Sequence, residues 1–215
     1  MTPTLVRGCV IAVLGAESTG KTELAASLAQ RLNRRGIQTA LVGEYLREWC
    51  EREGRVPRHD EQAAIAEEQT RRIADAARRG VVVADTTAVM TAVYSDMLFQ
   101  DTSLYAHALA AQHGYAITLL TALDLPWVAD GLQRDGPHVR EPVDTMVRAA
   151  LANASISYAV VHGRGADRLA GAWNALNLAS QSEGRQAGRW RWSCDRCSDP
   201  ACEHSMFTSL VETRK

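Results

Sequence analysis

The sequence has no long apolar stretch, no marked charge imbalance and no signal-peptide pattern. Its N-terminal apolar run, residues 9–14, is too short to cross a bilayer, and the first residues lack a cleavable leader. Lys and Arg number 24 against 25 Asp and Glu, which gives no electrostatic argument for nucleic acid or an anionic membrane. A total of 5 cysteines without a leader makes a disulfide framework unexpected. We therefore expect a cytoplasmic protein that neither spans membranes nor binds nucleic acid.

Short apolar runs alternate with helical segments through most of the chain. The runs predict five buried strands, at residues 9–14, 39–42, 81–84, 115–120 and 158–161. The segments between them predict helices at residues 21–35, 60–79, 103–112 and 167–178. Because parallel strands are joined through helices, the alternation predicts an α/β fold with a five-stranded parallel sheet and helices on both faces.

Residues 15–22 match the phosphate-binding pattern G-x-x-x-x-G-K-[ST] at every defined position. The match follows an apolar strand and opens a helix, whereas a chance match in a turn has no such context. Backbone N–H groups of such a loop face phosphates, its lysine reaches the β- and γ-phosphates, and its last hydroxyl ligates magnesium. The predicted nucleotide-binding residues are Gly15, Ala16, Glu17, Ser18, Thr19, Gly20, Lys21 and Thr22. We therefore predict a P-loop NTPase that binds ATP and Mg²⁺.

Two carboxylates follow the second and third predicted strands. Asp85 would face the magnesium of a bound nucleotide, because ligands of parallel sheets lie beyond the carboxyl ends of the strands. It could also cap the next helix, as could Thr86 and Thr87. Glu44 could accept a proton from an attacking hydroxyl, or it could be a solvated loop acid.

Further candidates flank these carboxylates. Tyr45 and Arg47 follow Glu44, and either could contact a substrate. Residues 130–140 mix Gly, Pro, Asp and Arg, which suits a mobile cover over the site. Arg134 and Arg140 in this stretch could stabilise a transferring phosphoryl group, or they could belong to an ordinary exposed loop.

The order of these motifs resembles a known family. The phosphate loop is followed by E-Y-x-R-E at residues 44–48, by Gln69, by D-T at residues 85–86, and by W-x-x-D-G-x-x-R at residues 127–134. Over residues 10–178 the chain resembles the ribosylnicotinamide kinase domain of bacterial NadR-type proteins, within a broader group of AAA-labelled P-loop kinases. The loop alone is common to many proteins, and the two longer motifs carry the resemblance.

The resemblance implies ATP-dependent phosphorylation of a ribosyl hydroxyl, which yields nicotinamide mononucleotide for NAD biosynthesis. It also implies that Lys21 and Thr22 hold the triphosphate and magnesium. The same analogy makes Asp85 a magnesium-linked or substrate-binding acid, Glu44 a base or substrate-binding acid, and Arg134 a lid residue. Tyr45 and Trp127 could stack on a planar ring, although Trp127 could instead pack the lid against the core.

Two departures from the family affect the expected function. Only nine residues precede Val10, so we expect neither the nucleotidyltransferase domain nor the DNA-binding domain of bifunctional members. Beyond Arg134 the segment R-D-G-P-H-V-R at residues 134–140 does not match the family. The acceptor could therefore be another nucleoside or metabolite, since related stand-alone kinases need not share a substrate.

The C-terminal residues differ in composition from the rest. We expect a P-loop kinase-like domain over residues 1–180, then a linker and a Cys- and Trp-rich tail over residues 181–215. The tail holds four potential zinc ligands, at Cys194, Cys197, Cys202 and His204. Reduced thiols without metal are the alternative. If this tail binds a partner, the protein could instead be a nucleotide-dependent regulator with little turnover.

Overall fold

Five parallel strands form the centre of the protein, as the sequence predicts. The computed structural model describes residues 5–128 and 137–182. The strands within them are β1 (Val10–Leu14), β2 (Thr39–Val42), β3 (Val81–Asp85), β4 (Ile117–Thr121) and β5 (Ala159–Val161). Their order across the sheet is β2-β3-β1-β4-β5, and every neighbouring pair is parallel. The fold class is therefore the predicted one, with β1 at the centre of the sheet.

Helices cover both faces of this sheet. In the described residues they are α1 (Lys21–Arg34), α2 (Tyr45–Glu53), α3 (Gln62–Ala77), α4 (Ala88–Phe99), α5 (Tyr105–His113), α6 (Arg140–Asn153) and α7 (Gly165–Ser182), with 3-10 helices at His59–Glu61 and Pro137–Val139. On one face α1 and α7 pack on the sheet through a cluster that includes Leu28 and Trp173. On the other, α4 and α6 do so through a cluster that includes Val89 and Val147. No helix in the described ranges is long and apolar enough to cross a membrane.

The sequence pattern does not predict α2, α4 or α6. The helix α4, AVMTAVYSDMLF, is apolar on nearly all sides because it is buried, so it shows no one-sided periodicity. The helix α2 is only 9 residues long. The helix α6 begins at Arg140, within the stretch that we expected to be a mobile cover, and Pro142 stands in its first turn, where proline is tolerated. The expectation of a loop at Arg140 is therefore wrong.

The strand order brings the carboxyl ends of three strands side by side. Val13 on β1 is paired with Asp85 on β3 and with Leu119 on β4. The residues that follow β1, β3 and β4 therefore share one edge of the sheet. In parallel sheets covered on both faces, this edge is where ligands bind.

Candidate functional site

The phosphate loop joins β1 to α1 and is held tightly against β4. Gly15 has a φ of +145°, and a β-carbon there would lie only 2.1 Å from Oγ1 of Thr121. The Thr121 hydroxyl donates to the carbonyl of Leu14 at 3.1 Å and contacts the hydroxyl of Thr19 at 2.7 Å. Only glycine fits at the start of the loop, because both the backbone angle and the close approach exclude a side chain.

The C-terminal end of the phosphate loop leads into α1, and the cation Lys21 is the first residue of that helix. Gly20 is the N-cap of α1, with a left-handed φ of 74° and no side-chain cap. Lys21 is buried, and its Nζ donates to the carbonyl of Ala16 at 2.8 Å, across the loop. Thr22 is exposed. The uncapped N–H groups and the ammonium make this end of α1 a site for an anion.

Asp85 lies beside the phosphate loop with an unsatisfied oxygen. Side chains alternate along a strand, so Asp85 lies on the same face as Val83, which packs in the cluster beneath α1. The Asp85 side chain is 3% exposed, and no atom of the described residues bonds its Oδ1. The N-cap of α4 is Thr87, whose hydroxyl accepts from the N–H of Val89 at 3.3 Å. A buried carboxylate oxygen without a partner suits a ligand or a cation, because leaving it unpaired is costly.

Gln69 on α3 links the ends of β2 and β3. Its Oε1 accepts from the backbone N–H of Tyr45 at 2.7 Å. Its Nε2 donates to the carbonyls of Gly43 at 3.2 Å and Thr86 at 3.5 Å. The side chain is 2% exposed. The sequence includes Gln69 only as part of the family pattern and gives no sign of this bridge.

Glu44 and Arg47 lie at the start of α2 and contact each other. Arg47 Nε is 3.6 Å from Glu44 Oε2, and the Glu44 side chain is 11% exposed. Tyr45 lies beneath the Arg72 guanidinium, whose central carbon is 4.2 Å from the ring centroid. One face of the Tyr45 ring is therefore covered by a cation within the protein itself.

Arg168 on α7 belongs to the site, although no sequence pattern points to it. Its guanidinium donates to the carbonyl of Thr19, to the carboxylate of Asp124, and through Nε to the carbonyl of Gly163 at 2.7 Å. Asp124 also accepts from the N–H of Gly163 at 2.6 Å. Burial lowers the pKa of Arg168, and Asp124 opposes this shift. No local pattern could have revealed this network, since Thr19 and Arg168 are 149 positions apart.

A cleft of about 1230 Å³ extends from the phosphate loop to the N-terminal end of α7. Arg47 lies at its wall together with the residues of the loop. The other lining residues come from α1 and from the segments after β4 and β5, including Leu125, Pro126, Val128, Arg164, Gly165, Ala166, Arg168 and Leu169. The cleft thus joins the phosphate loop to a wall of apolar and arginine side chains.

Arg140 and Trp127 flank residues 129–136, which contain Arg134 and lie outside the described residues. Arg140 is 8% exposed, and its Nη1 donates to the carbonyl of Leu125 at 2.9 Å. Its Nε and Nη2 have no partner among the described residues, and neither has Nε1 of the half-buried Trp127. Arg140 is therefore not on an exposed loop: it is buried at the start of α6.

The family comparison agrees with this architecture. Residues 10–168 match a family model described as an AAA domain. The chain belongs to this AAA-domain family. A search of curated proteins finds no match.

Solved structures similar to this AAA-domain chain include NadR and a thymidylate kinase. NadR in complex with NAD and AMP-PNP is 20% identical with a TM-score of 0.59, and the match covers 86% of this chain and 52% of that one. NadR in complex with NR is 20% identical with a TM-score of 0.63, over 86% and 54%. Thymidylate kinase from Ehrlichia chaffeensis is 14% identical with a TM-score of 0.52, over 82% and 98%. The chain thus spans about half the length of the NadR chains, and the likeness shows the fold.

The predicted zinc ligands lie outside the part of the AAA-domain chain that the structure describes. They are Cys194, Cys197, Cys202 and His204. Within residues 5–128 and 137–182, no three His, Cys, Asp or Glu side chains come together as a metal site. Nothing in the described residues therefore supports zinc.

Proposed function

We propose that the protein is an ATP-dependent kinase that phosphorylates a ribosyl hydroxyl, with ribosylnicotinamide as the acceptor. The observation that carries the proposal is Asp85, a buried carboxylate on the strand next to β1, whose Oδ1 has no partner among the described residues. Gln69 ties the end of this strand to the segment that carries Glu44. The similar NadR structures, complexes with NR and with NAD and AMP-PNP, support a nucleoside acceptor and a nucleotide donor.

The donor nucleotide fits the cleft along the phosphate loop. The N–H groups of the loop and of the first turn of α1 face the phosphates, and Lys21 moves from the Ala16 carbonyl to the β- and γ-phosphates. The nucleoside part lies in the region of the cleft that Pro126 and Arg164 help to line. Arginine and apolar surfaces of this kind can stack on a planar base.

Magnesium would be held by the hydroxyl of Thr22 and the carboxylate of Asp85. The fit rests on the unpartnered Oδ1 of Asp85, because hard divalent cations prefer oxygen ligands. When bound, the ion supplies positive charge against the developing charge on the phosphates. The protein contributes the fixed positions of both oxygens, at the end of β3 and at the start of α1.

The acceptor lies beside Glu44, which precedes α2. The Glu44 carboxylate accepts the proton of the ribosyl hydroxyl while that oxygen forms a bond to the γ-phosphorus and the bond to the β-phosphate oxygen breaks. Arg140 is buried beside the Leu125 carbonyl, and its Nε and Nη2, which have no partner among the described residues, stabilise the transferring group. Arg134 serves the same purpose, and Arg47, Tyr45 and Trp127 contact the acceptor.

The test is acceptor-dependent ADP release from Mg-ATP. We expect stimulation by ribosylnicotinamide, and we expect Lys21→Ala to lower it by roughly a hundredfold or more. Arg34→Ala, at the exposed far end of α1, is the matched control. Stimulation by thymidine, another nucleoside or a nucleoside monophosphate alone would move the assignment to a kinase of that acceptor. Nucleotide binding without any stimulation would favour a regulatory ATPase.

A further inference from the structure

We propose that Arg168 is a positioning residue that orients the phosphate loop for a nucleoside triphosphate. The guanidinium contacts the loop at the Thr19 carbonyl and joins three segments at the carboxyl edge of the sheet. These are the phosphate loop at Thr19, the segment after β4 at Asp124, and the turn after β5 at Gly163. This proposal rests on one part of the proposed function, namely that the protein binds a nucleoside triphosphate.

The contact with Thr19 sets the direction of a loop N–H group. In a planar trans peptide the C=O and the following N–H point to opposite sides. Because Arg168 holds the Thr19 carbonyl, the N–H of Gly20 points away from Arg168. Gly20 begins α1 without a side-chain cap, so its N–H and those of the next residues are left for a phosphate.

Other bonds hold the side chain of Thr19, and Arg168 holds its backbone carbonyl. The Thr19 hydroxyl donates to the Ala16 carbonyl at 2.7 Å and contacts Thr121 at 2.7 Å. These bonds fix the side chain of Thr19 against β4. They leave the carbonyl orientation to Arg168, whose side chain is 4% exposed and therefore well ordered by packing.

The acceptors of Arg168 require the shape of a guanidinium. Three oxygens, on Thr19, Asp124 and Gly163, receive N–H groups from all three nitrogens of its planar fork. A lysine carries the same charge on a single nitrogen and cannot reach all three acceptors at once. A positioning role therefore predicts that lysine fails to replace arginine, whereas a purely electrostatic role predicts that it succeeds.

The experiment measures the affinity of the full chain for Mg-ATP, Mg-ADP and adenosine. We expect Arg168→Met and Arg168→Lys each to weaken ATP and ADP binding on the order of 10- to 100-fold, the loss typical of a hydrogen bond to a charged group. Adenosine, which has no phosphate, should lose less than about threefold. Arg31→Met is the matched control, because Arg31 packs 4.4 Å over the ring of Trp173 on α7 without touching the loop. It should leave ATP affinity unchanged.

A milder variant keeps the test decisive if the Arg168 variants do not fold. Asp124→Asn retains the side-chain shape but weakens one of the three anchors, and Asp124 is 33% exposed. We expect ATP affinity to fall by about 3- to 10-fold with adenosine affinity unchanged. Unchanged ATP affinity in a folded Arg168→Met or Asp124→Asn protein would overturn the proposal, as would an equal loss for ATP and adenosine.

Failure of this inference can be told apart from failure of the proposed function. Nucleotide titrations need no acceptor, so they report on Arg168 even if ribosylnicotinamide is never phosphorylated. In turnover assays the KM for ATP should rise in Arg168→Lys while the KM for the acceptor stays constant. If turnover with ribosylnicotinamide occurs but neither KM changes, the proposed function stands and the role of Arg168 is wrong.

Discussion

The side-chain Oε1 of Gln69 accepts a hydrogen bond from the backbone N–H of Tyr45 at 2.7 Å. This bond fixes the first residue of α2 to the middle of α3. Because Glu44 directly precedes Tyr45, the same bond limits where the Glu44 carboxylate can lie relative to Asp85. Gln69, an uncharged residue on α3, thus links the two backbone segments that carry the acids of the candidate site.

Replacing Gln69 should disturb both stability and turnover. Gln69→Leu keeps the size of the side chain but leaves the N–H of Tyr45 and the carbonyl of Gly43 without their partner. We expect the free energy of unfolding to fall by about 1–3 kcal/mol, measured by urea denaturation, and kcat to fall with little change in the KM for ATP. Thr70→Val, which removes a side-chain bond to Ala66 on the same helix, is the control. Equal effects of both variants would show that Gln69 has no special role.

Asp85→Asn tests the magnesium ligand. The amide preserves the shape of the side chain but removes the negative charge that binds a divalent cation. We expect the magnesium concentration needed for half-maximal turnover to rise by about tenfold or more. The measurement is a magnesium titration at saturating nucleotide. A magnesium curve identical to that of the unaltered protein would exclude Asp85 as a ligand.

Glu44→Gln tests the proton acceptor separately. A base contributes about 10²- to 10⁴-fold to the rate, so kcat should fall within that range while the magnesium titration is unchanged. The contrast with Asp85→Asn decides which acid has which role. The comparison variant is Glu51→Gln, an exposed residue on the same helix, α2. Near-normal turnover in Glu44→Gln would rule Glu44 out as the base.

Acid should destabilise the protein over a defined range of pH. Hydrogen bonds from Arg71 and then Arg72 lower the pKa of Glu68 to about 2, from a model-compound value of 4.5. A carboxylate that is a stronger acid in the folded state stabilises the fold above pH 4.5, and this contribution disappears as the pH falls towards 2. Bonds from Ser103, with a contribution from His59, likewise lower the pKa of Asp101 to about 2.

The check is the urea midpoint of unfolding between pH 7 and pH 3. We expect it to fall steadily below about pH 4.5, and to fall less steeply in Glu68→Gln, whose side chain does not titrate. The magnitude should be modest because both groups are partly exposed and therefore screened by solvent. A midpoint that is independent of pH in this range would contradict the prediction.

Local sequence signals account for part of the site. The phosphate loop is one contiguous pattern with strict spacing, and Asp85 ends a run of apolar residues, so both follow from the sequence. Arg168 and Asp124 do not, because they acquire their roles only when distant segments fold together. Arg140 was expected on a loop because Gly, Pro and Asp precede it, yet the chain becomes helical at Arg140 and buries its side chain. The sequence pattern does not predict α4, because residues 88–93 are all buried and this part of the helix lacks the polar face that sequence patterns detect.

Two hydrogen bonds connect Ser18 of the phosphate loop to Val128, the residue that follows Trp127. The Ser18 hydroxyl donates to the Val128 carbonyl at 2.6 Å, and the N–H of Val128 approaches the same hydroxyl at 3.3 Å. Trp127 directly precedes Val128, and its indole N–H is buried without a partner among the described residues. A shift of Ser18 should therefore move the segment that carries Trp127, whose indole emission depends on its surroundings. Tryptophan fluorescence, compared with that of Trp127→Phe, should follow nucleotide binding in real time without a label.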